Sequence, residues 1–217
     1  MQTLTEKIIQ KKKELAGSIG SAESVRDFGG MWKVNGVFLT DAVLRLGAKL
    51  GSMVDKLKTP EYDNEVSRLS QPNREFQYVN ADFRELATQK LEKTDVSLLN
   101  DVLLHQDNFT EVVKQVCGLT NKYIVVAQPF YNAFSIPSSC AMIQFASPEW
   151  KKKLWNEMWV DQRELDKYSV DIWMWAQSTQ LMIDLFKGYG WKPKQDRGFT
   201  FPISNGWDYA GIIFERA

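Results

Sequence analysis

Residues 25–36 read Val-Arg-Asp-Phe-Gly-Gly-Met-Trp-Lys-Val-Asn-Gly and carry most of what the sequence discloses. A short apolar approach ends in Asp27, glycines follow at positions 29, 30 and 36, and a helix-like pattern begins at Val37. Glycine lets the backbone approach a ligand closely and adopt positive φ. The order strand, acidic residue, glycine loop and helix is typical of nucleotide sites in α/β sheets. The spacing matches neither the dinucleotide fingerprint nor the P-loop, so a purely structural turn is the alternative.

Composition limits the classes of function. The 217 residues suit one domain, 1–217, and the 27 basic and 27 acidic residues balance, which argues against nucleic acid as a partner. The sequence contains no apolar run of about 18 residues and no signal peptide, so we expect no membrane association. Cys117 and Cys140 are expected to be buried, reduced thiols, which favours a cytoplasmic location. His105 is the sole histidine, so a histidine-rich zinc site is excluded and no metal is predicted.

Strand-like and helix-like segments alternate along the chain. The predicted strands are 24–27, 50–55, 76–80, 95–99, 123–128 and 211–215. The predicted helices are 37–46, 62–69, 84–91, 109–119 and 171–190. A further helix within residues 1–20 has Leu4, Ile8 and Leu15 on one face and the lysines at 11–13 on the other. This alternation predicts βαβ units and a mostly parallel sheet.

Polar residues end four consecutive predicted strands: Asp27, Asp55, Asp82 and Asn100. Any one of them is ordinary as a helix N-cap. Together, at the ligand-binding edge of a parallel sheet, they suit a ligand rich in amino and hydroxyl groups. A carboxylate after the second strand can accept both hydroxyls of a ribose. One after the third strand can accept the amine of adenine, with Phe83 against the ring.

These segments resemble the class I S-adenosylmethionine-dependent methyltransferases over residues 22–131. Asp-Phe-Gly-Gly-Met-Trp is similar to their first motif, Met-Val-Asp-Lys to the second and Asn-Ala-Asp-Phe to the third. The resemblance implies an α/β, Rossmann-like fold. Its sheet would be seven-stranded and mostly parallel, with helices on both faces and an antiparallel last strand. A helical, aromatic lid insertion would cover the site.

The resemblance also implies a role for each motif residue toward S-adenosylmethionine. Gly29 and Gly30 would flank the methionine moiety, and Asp27 would hold its amino group. Asp55 would bind the ribose, Asp82 and Phe83 the adenine, and Asn100 would lie beside the methionine portion. The sequence departs from the family where Met31 replaces a motif glycine and where the bulky Trp32 follows it.

The second half of the chain is expected to select the acceptor. Seven of the eight tryptophans follow residue 149, and residues 132–170 are predicted to form the lid. Trp155 and Trp159 are four residues apart and would share a helical face, whereas Trp173 and Trp175 are two apart and would not. The predicted substrate and lid residues are Tyr131, Trp155, Trp159, Trp173 and Trp175. A simple core for a small lid is the other interpretation of these aromatics.

Three functions remain open from the sequence. The first is methyl transfer to the oxygen or nitrogen of a small-molecule acceptor, with His105 as the catalytic general base because its ordinary pKa suits that task. The second is intramolecular cyclisation of S-adenosylmethionine to azetidine-2-carboxylate, which would release methylthioadenosine. The third is a non-catalytic S-adenosylmethionine-binding module. The chain would act as a monomer or a homodimer.

Overall fold

The computed structural model describes residues 3–31, 34–144 and 173–217. Its strands are β1 (Ser24–Phe28), β2 (Leu50–Asp55), β3 (Glu75–Asn80), β4 (Thr94–Asn100), β5 (Thr120–Tyr131), β6 (Cys140–Gln144), β7 (Trp173–Gln177), β8 (Trp191–Ser204) and β9 (Trp207–Arg216). Its α-helices are α1 (Leu4–Gly17), α2 (Val37–Leu46), α3 (Pro60–Leu69), α4 (Phe109–Leu119) and α5 (Thr179–Gly188). Two 3-10 helices span Phe83–Thr88 and Leu103–His105.

Seven strands form one sheet in the order β3-β2-β1-β4-β5-β9-β8. The first five pair in parallel, and β9 lies antiparallel between β5 and β8. Strand order reverses between β1 and β4, the point at which open α/β sheets bind ligands. The predicted Rossmann-like, mostly parallel seven-stranded sheet is confirmed.

Helices cover both faces of this sheet, because alternate strand residues point to opposite sides. On β5, Val125 and Ala127 join the core cluster that contains residues of α1 and α2. Ile124 and Val126 join the cluster formed with α4 and α5. Strands β1, β2 and β4 are mostly buried, as expected for strands covered on both sides.

The predicted helix over 171–190 is wrong in its first half. Residues 173–177 form β7, which pairs antiparallel with β6 in a separate two-stranded sheet. The helix begins only at Thr179, after the N-cap Ser178, whose hydroxyl accepts the Leu181 N–H. The spacing of Trp173 and Trp175, which does not suit a helical face, is the alternation of a strand.

Other local predictions also need correction. The helix predicted over 84–91 is a 3-10 helix, Phe83–Thr88. Cys117 is buried, and burial raises the pKa of its thiol to about 12. Cys140 is exposed on β6 and is not a buried thiol. Within the described ranges, none of the helices combines the length and apolar character needed to cross a bilayer.

Lysine 12 lies on the buried face of α1, although the sequence suggested an exposed one. Lys12 is 4% exposed, whereas Leu4, assigned to the buried face, is 41% exposed. Lys12 follows the buried Ile8 by four residues and precedes the buried Leu15 by three, and residues at those spacings share a face. Lys11, its neighbour in the run of three lysines, is exposed as expected. The run as a whole therefore did not indicate that Lys12 is buried.

Candidate functional site

Three of the predicted site residues meet at the carboxyl ends of neighbouring strands. Asp27 of β1 lies beside Met53 of β2 and Leu98 of β4, each close to the end of its strand. Asp55 is the last residue of β2, and Asn100 is the last residue of β4. Parallel pairing therefore brings two carboxylates and an amide to one edge of the sheet, on either side of the point where strand order reverses.

The glycine loop follows β1 and turns back over Asp27. Gly29 has a φ of 75°, and its N–H donates to the Val54 carbonyl at 2.9 Å. Gly30 has no room for a side chain, since a Cβ there would lie 2.2 Å from Oδ2 of Asp27. Gly36 closes the loop by donating its N–H to the Gly30 carbonyl at 2.8 Å, and α2 begins at the next residue.

Asp27 is fully buried, and neither of its carboxylate oxygens has a hydrogen-bond partner among the described residues. Burial raises the pKa of Asp27 to about 7. The positive charge of Lys12 opposes that rise, and the negative charge of Asp55 adds to it. A carboxyl that is half ionised near neutrality and lacks hydrogen-bond donors is suited to receive a cationic or donor-rich ligand.

Asp55, at the end of β2, holds the glycine loop from the side of that strand. Its Oδ2 accepts the Met31 N–H at 3.1 Å, and its Oδ1 accepts the Leu57 N–H at 2.9 Å. Met31, which replaces a motif glycine, turns its side chain into the core and is fully buried. Its backbone therefore still serves the loop. Trp32, the other departure, lies outside the described residues.

Asp82 lies beyond β3 and is largely buried. Its Oδ2 pairs with the ammonium of Lys56 at 2.6 Å, and that lysine directly follows Asp55. Phe83 begins the adjoining 3-10 helix, but its side chain lies outside the described part of the chain. The adenine contacts predicted for both residues stay predictions.

The remaining predicted site residues of this edge, Asn100 and His105, lie at the end of β4 and just after it. The Oδ1 atom of Asn100 is buried without a hydrogen-bond partner in the described part of the chain. His105 ends the 3-10 helix that follows and is partly buried. Burial lowers the pKa of His105, and the negative charge of Asp101 opposes that change. His105 is therefore mainly neutral at pH 7, the form that can accept a proton.

The structure describes the side chains of two of the predicted aromatic residues, Tyr131 and Trp175. Tyr131 packs edge-on against Phe134 at 4.9 Å between ring centres, and its ring lies 5.3 Å from that of Trp207. Trp175 packs edge-on against Phe109 and donates its Nε1–H to the Gln106 carbonyl at 2.9 Å. It thereby ties β7 to the segment that follows His105.

The side chains of three predicted tryptophans lie outside the described part of the chain. Trp155 and Trp159 belong to residues 145–172, which the structure does not describe, and for Trp173 only the backbone is described. The lid predicted over 132–170 therefore stays a prediction for most of its length. At its start, residues 140–144 are a strand.

Sequence reasoning missed a charged cluster beside these residues. Asp101 accepts a hydrogen bond from the Tyr209 hydroxyl at 2.6 Å and forms an ion pair with Lys12. These three residues come from α1, the end of β4 and β9, so only tertiary structure brings them together. The one available signal was the spacing of Lys12 from Ile8 and Leu15. Among the described residues, no group of three or more histidine, cysteine or acidic side chains is arranged to hold a metal ion.

This sheet order, with its antiparallel final strand and glycine loop after β1, defines the fold of the class I S-adenosylmethionine-dependent methyltransferases. No family profile matches the chain, and a search of curated proteins gave no significant match. Solved structures match over nearly the whole chain. One is an O-methyltransferase family protein from Burkholderia thailandensis, with a TM-score of 0.62 and 15% identity over 96% of this chain and 56% of that one. This chain therefore spans little more than half of that relative.

Two further solved structures contain bound S-adenosylhomocysteine. The 1,6-didemethyltoxoflavin-N1-methyltransferase of Burkholderia thailandensis, with 1,6-didemethyltoxoflavin and S-adenosylhomocysteine bound, matches at a TM-score of 0.60. Its identity is 15% over 95% of this chain and 78% of that one. The N-methyltransferase NodS of Bradyrhizobium japonicum WM9, also with S-adenosylhomocysteine, matches at 0.57, with 10% identity over 98% and 86% of the two chains. At these identities the likeness concerns the fold.

Proposed function

We propose that this chain is an S-adenosylmethionine-dependent methyltransferase that transfers a methyl group to an oxygen or nitrogen atom of a small molecule. The observation that carries the proposal is the buried carboxyl of Asp27, which lacks hydrogen-bond donors directly beneath the glycine loop. A buried polar group without a partner costs free energy on folding, so its retention calls for a ligand. The solved structures with the same fold supply the class of ligand.

The residues at the sheet edge suit the parts of S-adenosylmethionine. The ammonium of its methionine portion would lie at Asp27, where it would supply the missing donors and favour the ionised carboxylate. Each oxygen of Asp55 accepts one backbone N–H and keeps a lone pair for a ribose hydroxyl. The unpartnered Oδ1 of Asn100 could accept a second N–H of the ammonium.

When bound, the cofactor would supply a methyl group already activated by a positively charged sulfur. The chain would then have three tasks: to orient that methyl, to exclude water and to accept a proton where the acceptor must lose one. His105 suits the third task because its lowered pKa keeps the imidazole neutral at pH 7. The acceptor would approach from the side of the sheet where residues 100–105 follow β4.

Calorimetric titration with S-adenosylhomocysteine tests the cofactor site. Asp55→Asn is expected to weaken binding by about 1.5–3 kcal/mol, or roughly 10- to 150-fold in Kd, because a charged acceptor of two hydroxyls is lost. Asp63→Asn is the matched control: Asp63 is an exposed carboxylate of α3 paired with Lys58, and its replacement should leave Kd unchanged. Absence of binding in the parent protein would overturn the proposal.

The product distinguishes transfer from rearrangement of the cofactor. Mass spectrometry of an incubation with S-adenosylmethionine and a library of small-molecule acceptors should detect S-adenosylhomocysteine in equal amount to a methylated acceptor. Methylthioadenosine formed without any acceptor would instead identify the cyclising reaction. Binding with neither product, across the library, would favour a non-catalytic role.

Turnover of His105→Gln tests the general base. With an acceptor whose hydroxyl or ammonium must lose a proton, we expect turnover to fall by about 10²–10⁴-fold. The Kd for S-adenosylhomocysteine should be unchanged, because the imidazole is assigned to the acceptor side. A lowered melting temperature with parental turnover per folded molecule would instead assign His105 to packing.

A further inference from the structure

The turn after β4 has an unusual backbone that several contacts hold in place. Asp101 has a φ of 57°, in the left-handed region that non-glycine residues seldom adopt, although aspartate tolerates it better than most. Its N–H donates to the Ala127 carbonyl at 2.9 Å. Its carboxylate accepts the Tyr209 hydroxyl on Oδ1 and the Lys12 ammonium on Oδ2. The backbone on one side and two side chains on the other therefore determine the position of Asp101.

The lysine in this cluster is buried at a cost. The side chain of Lys12 is 2% exposed, and its ammonium lies 4.7 Å from the centre of the Phe38 ring and 5.6 Å from that of Tyr209. Aromatic faces and the carboxylate of Asp101 compensate part of the lost hydration. Buried ion pairs nevertheless contribute little net stability compared with apolar residues of the same size. Stability therefore does not explain why a lysine occupies this position.

Each member of the ion pair acts electrostatically on a different residue of the candidate site. The charge of Lys12 acts on Asp27, where it opposes the effect of burial on the pKa of that carboxyl. The negative charge of Asp101 likewise opposes the effect of burial on the pKa of His105. Asp101 also follows Asn100 directly, so the backbone of the turn fixes where the Asn100 amide lies.

We infer that Lys12 and Asp101 are positioning residues, whose ion pair fixes the turn of residues 100–105 against α1 and couples the charges of the cofactor and acceptor sides. The inference rests on the proposed function for the meaning of those two sides. The pair itself acts through Asn100 and His105 and need not touch the reacting atoms.

The neighbours of His105 make its pKa a specific reporter of the pair. The packed strand β7 reads Trp-Met-Trp-Ala-Gln and carries no titratable side chain. On α4, Glu111 is exposed toward Lys114 and Gln115 and is bonded to both. Cys117 of α4 has its pKa raised and is neutral near pH 7, and Asp107 follows on the adjoining loop. Asp101 is the described charge that acts on the imidazole.

The test is an NMR pH titration of the imidazole, which a single histidine makes unambiguous. Asp101→Asn should lower the pKa of His105 by about 0.5–1 pH unit, since a nearby negative charge is removed. Lys12→Met should raise it, because the negative charge of Asp101 loses the positive charge that is paired with it. Lys11→Met, the matched control from the same helix, removes an exposed charge paired with Glu14 and should leave the titration unchanged.

Opposite shifts in the two variants are the result expected of the pair. An unchanged His105 titration in Asp101→Asn and Lys12→Met, with only the melting temperature lowered, would overturn the inference. If Lys12→Met does not fold, Asp101→Gly tests the inference instead. Glycine adopts the left-handed turn without strain, so the fold should persist while the pKa falls as in Asp101→Asn. The parental pKa in that variant would also overturn the inference.

Titration of the same variants with S-adenosylhomocysteine separates this inference from the proposed function. If the parent binds, the pH at which its affinity levels off should rise in Lys12→Met, because the pKa of Asp27 loses the influence of a positive charge. If the parent does not bind, the proposed function fails. The opposite shifts at His105 would then still establish the ion pair as the group that sets the electrostatics of this turn.

Discussion

At the scale of single residues, Asp27 combines deep burial with the absence of any described hydrogen-bond donor. Most buried carboxylates are paired or hydrogen-bonded, because an unpaired buried charge is costly. Asp27 instead keeps its proton to a higher pH, with a pKa of about 7. The ammonium of the proposed cofactor would therefore displace a proton on binding Asp27 below pH 7.

The raised pKa of Asp27 leads to a prediction of how the free energy of unfolding changes with pH. The pKa of Asp27 is raised from 3.8 to about 7 on folding, so the folded state holds a proton that the unfolded state has lost in that interval. Its contribution to stability is thus present below about pH 4 and declines as pH rises toward 7, by up to about 1.4 kcal/mol for each pH unit. Urea denaturation at pH 5 and pH 8 should show this decline in the parent relative to Asp27→Asn. Parallel pH dependences in the two proteins would contradict it.

The same carboxyl predicts the pH dependence of cofactor affinity. If the ligand ammonium binds the ionised form, the association constant should rise about tenfold per pH unit below pH 7 and level off above it. Asp27→Asn should bind more weakly and without this dependence. Calorimetry in buffers of different ionisation enthalpy should detect proton release on binding at pH 6 in the parent. Equal heats in all buffers would rule out the linkage.

Residue-level prediction from the sequence succeeded where local order was sufficient. Asp27, Asp55 and Asn100 were expected at one edge because each follows a recognisable strand. Lys12 and Tyr209 were not expected there, because their partner Asp101 is 89 and 108 residues away in the chain. Periodicity assigns a residue to a face of its element, but it does not identify what lies opposite that face.

At the scale of elements, the glycine loop and the helix that follows it form a close-fitting unit. The space that a side chain at position 30 would need is occupied by Asp27 and by the methyl group of Met53, 3.0 Å from the ideal Cβ. At position 36 the ring of Tyr62 approaches to 2.4 Å, and the φ of 74° also favours glycine. Two glycines of the loop are thus required for different steric reasons.

Gly30→Ala is expected to destabilise the fold by about 1–3 kcal/mol, the usual cost of overpacking, and to displace the Asp27 carboxyl. Gly118→Ala is the matched control, since a Cβ in that part of α4 meets nothing within 4 Å. That change should stabilise by about 0.5–1 kcal/mol, because alanine loses less entropy than glycine in a helix. Thermal and chemical denaturation of both variants measure the difference. Equal effects would show that the loop can relax around a side chain.

The boundary between β7 and α5 also yields a prediction. The hydroxyl of Ser178 accepts N–H groups from both Leu181 and Ser139, so it caps the helix and ties down the loop before β6. Ser178→Ala should cost about 1–2 kcal/mol in the free energy of unfolding. Ser18→Ala is a control from the C-terminal end of α1, where the hydroxyl donates to the Leu15 carbonyl. A smaller effect at position 178 than at position 18 would refute the capping role.

That boundary is also where sequence reasoning failed. Trp173-Met-Trp-Ala is a short apolar run, and such a run fits a buried strand and a buried helix equally well. The prediction extends the clear helical pattern of α5 backwards over this run. Pairing with β6 makes this segment a strand. The strand β6 is too short for its sequence to predict that pairing.

At the scale of the whole molecule, the alternation of strands and helices was sufficient to predict the parallel half of the sheet. Strands β1 to β5 agree with their predicted segments to within a few residues at each end. The hairpin of β8 and β9 was harder to delimit, because β8 carries a run of charged residues and a register shift between Pro193 and Gly198. Register of that kind is set by the neighbouring strand and by packing of Phe199 and Phe201 on Tyr209.

The cluster of Lys12, Asp101 and Tyr209 has a consequence for the order of assembly. Its members come from the first helix, the middle of the chain and the last strand, and β9 also inserts between β5 and β8. During synthesis from the N-terminus, the glycine loop and the first four parallel strands are available early, but the cluster is not. Contacts over such long sequence separations form late, since the intervening loops must close first. A nascent chain that still lacks β9 therefore holds Asp101 without its hydroxyl donor, and the cluster becomes complete only when β9 joins the sheet.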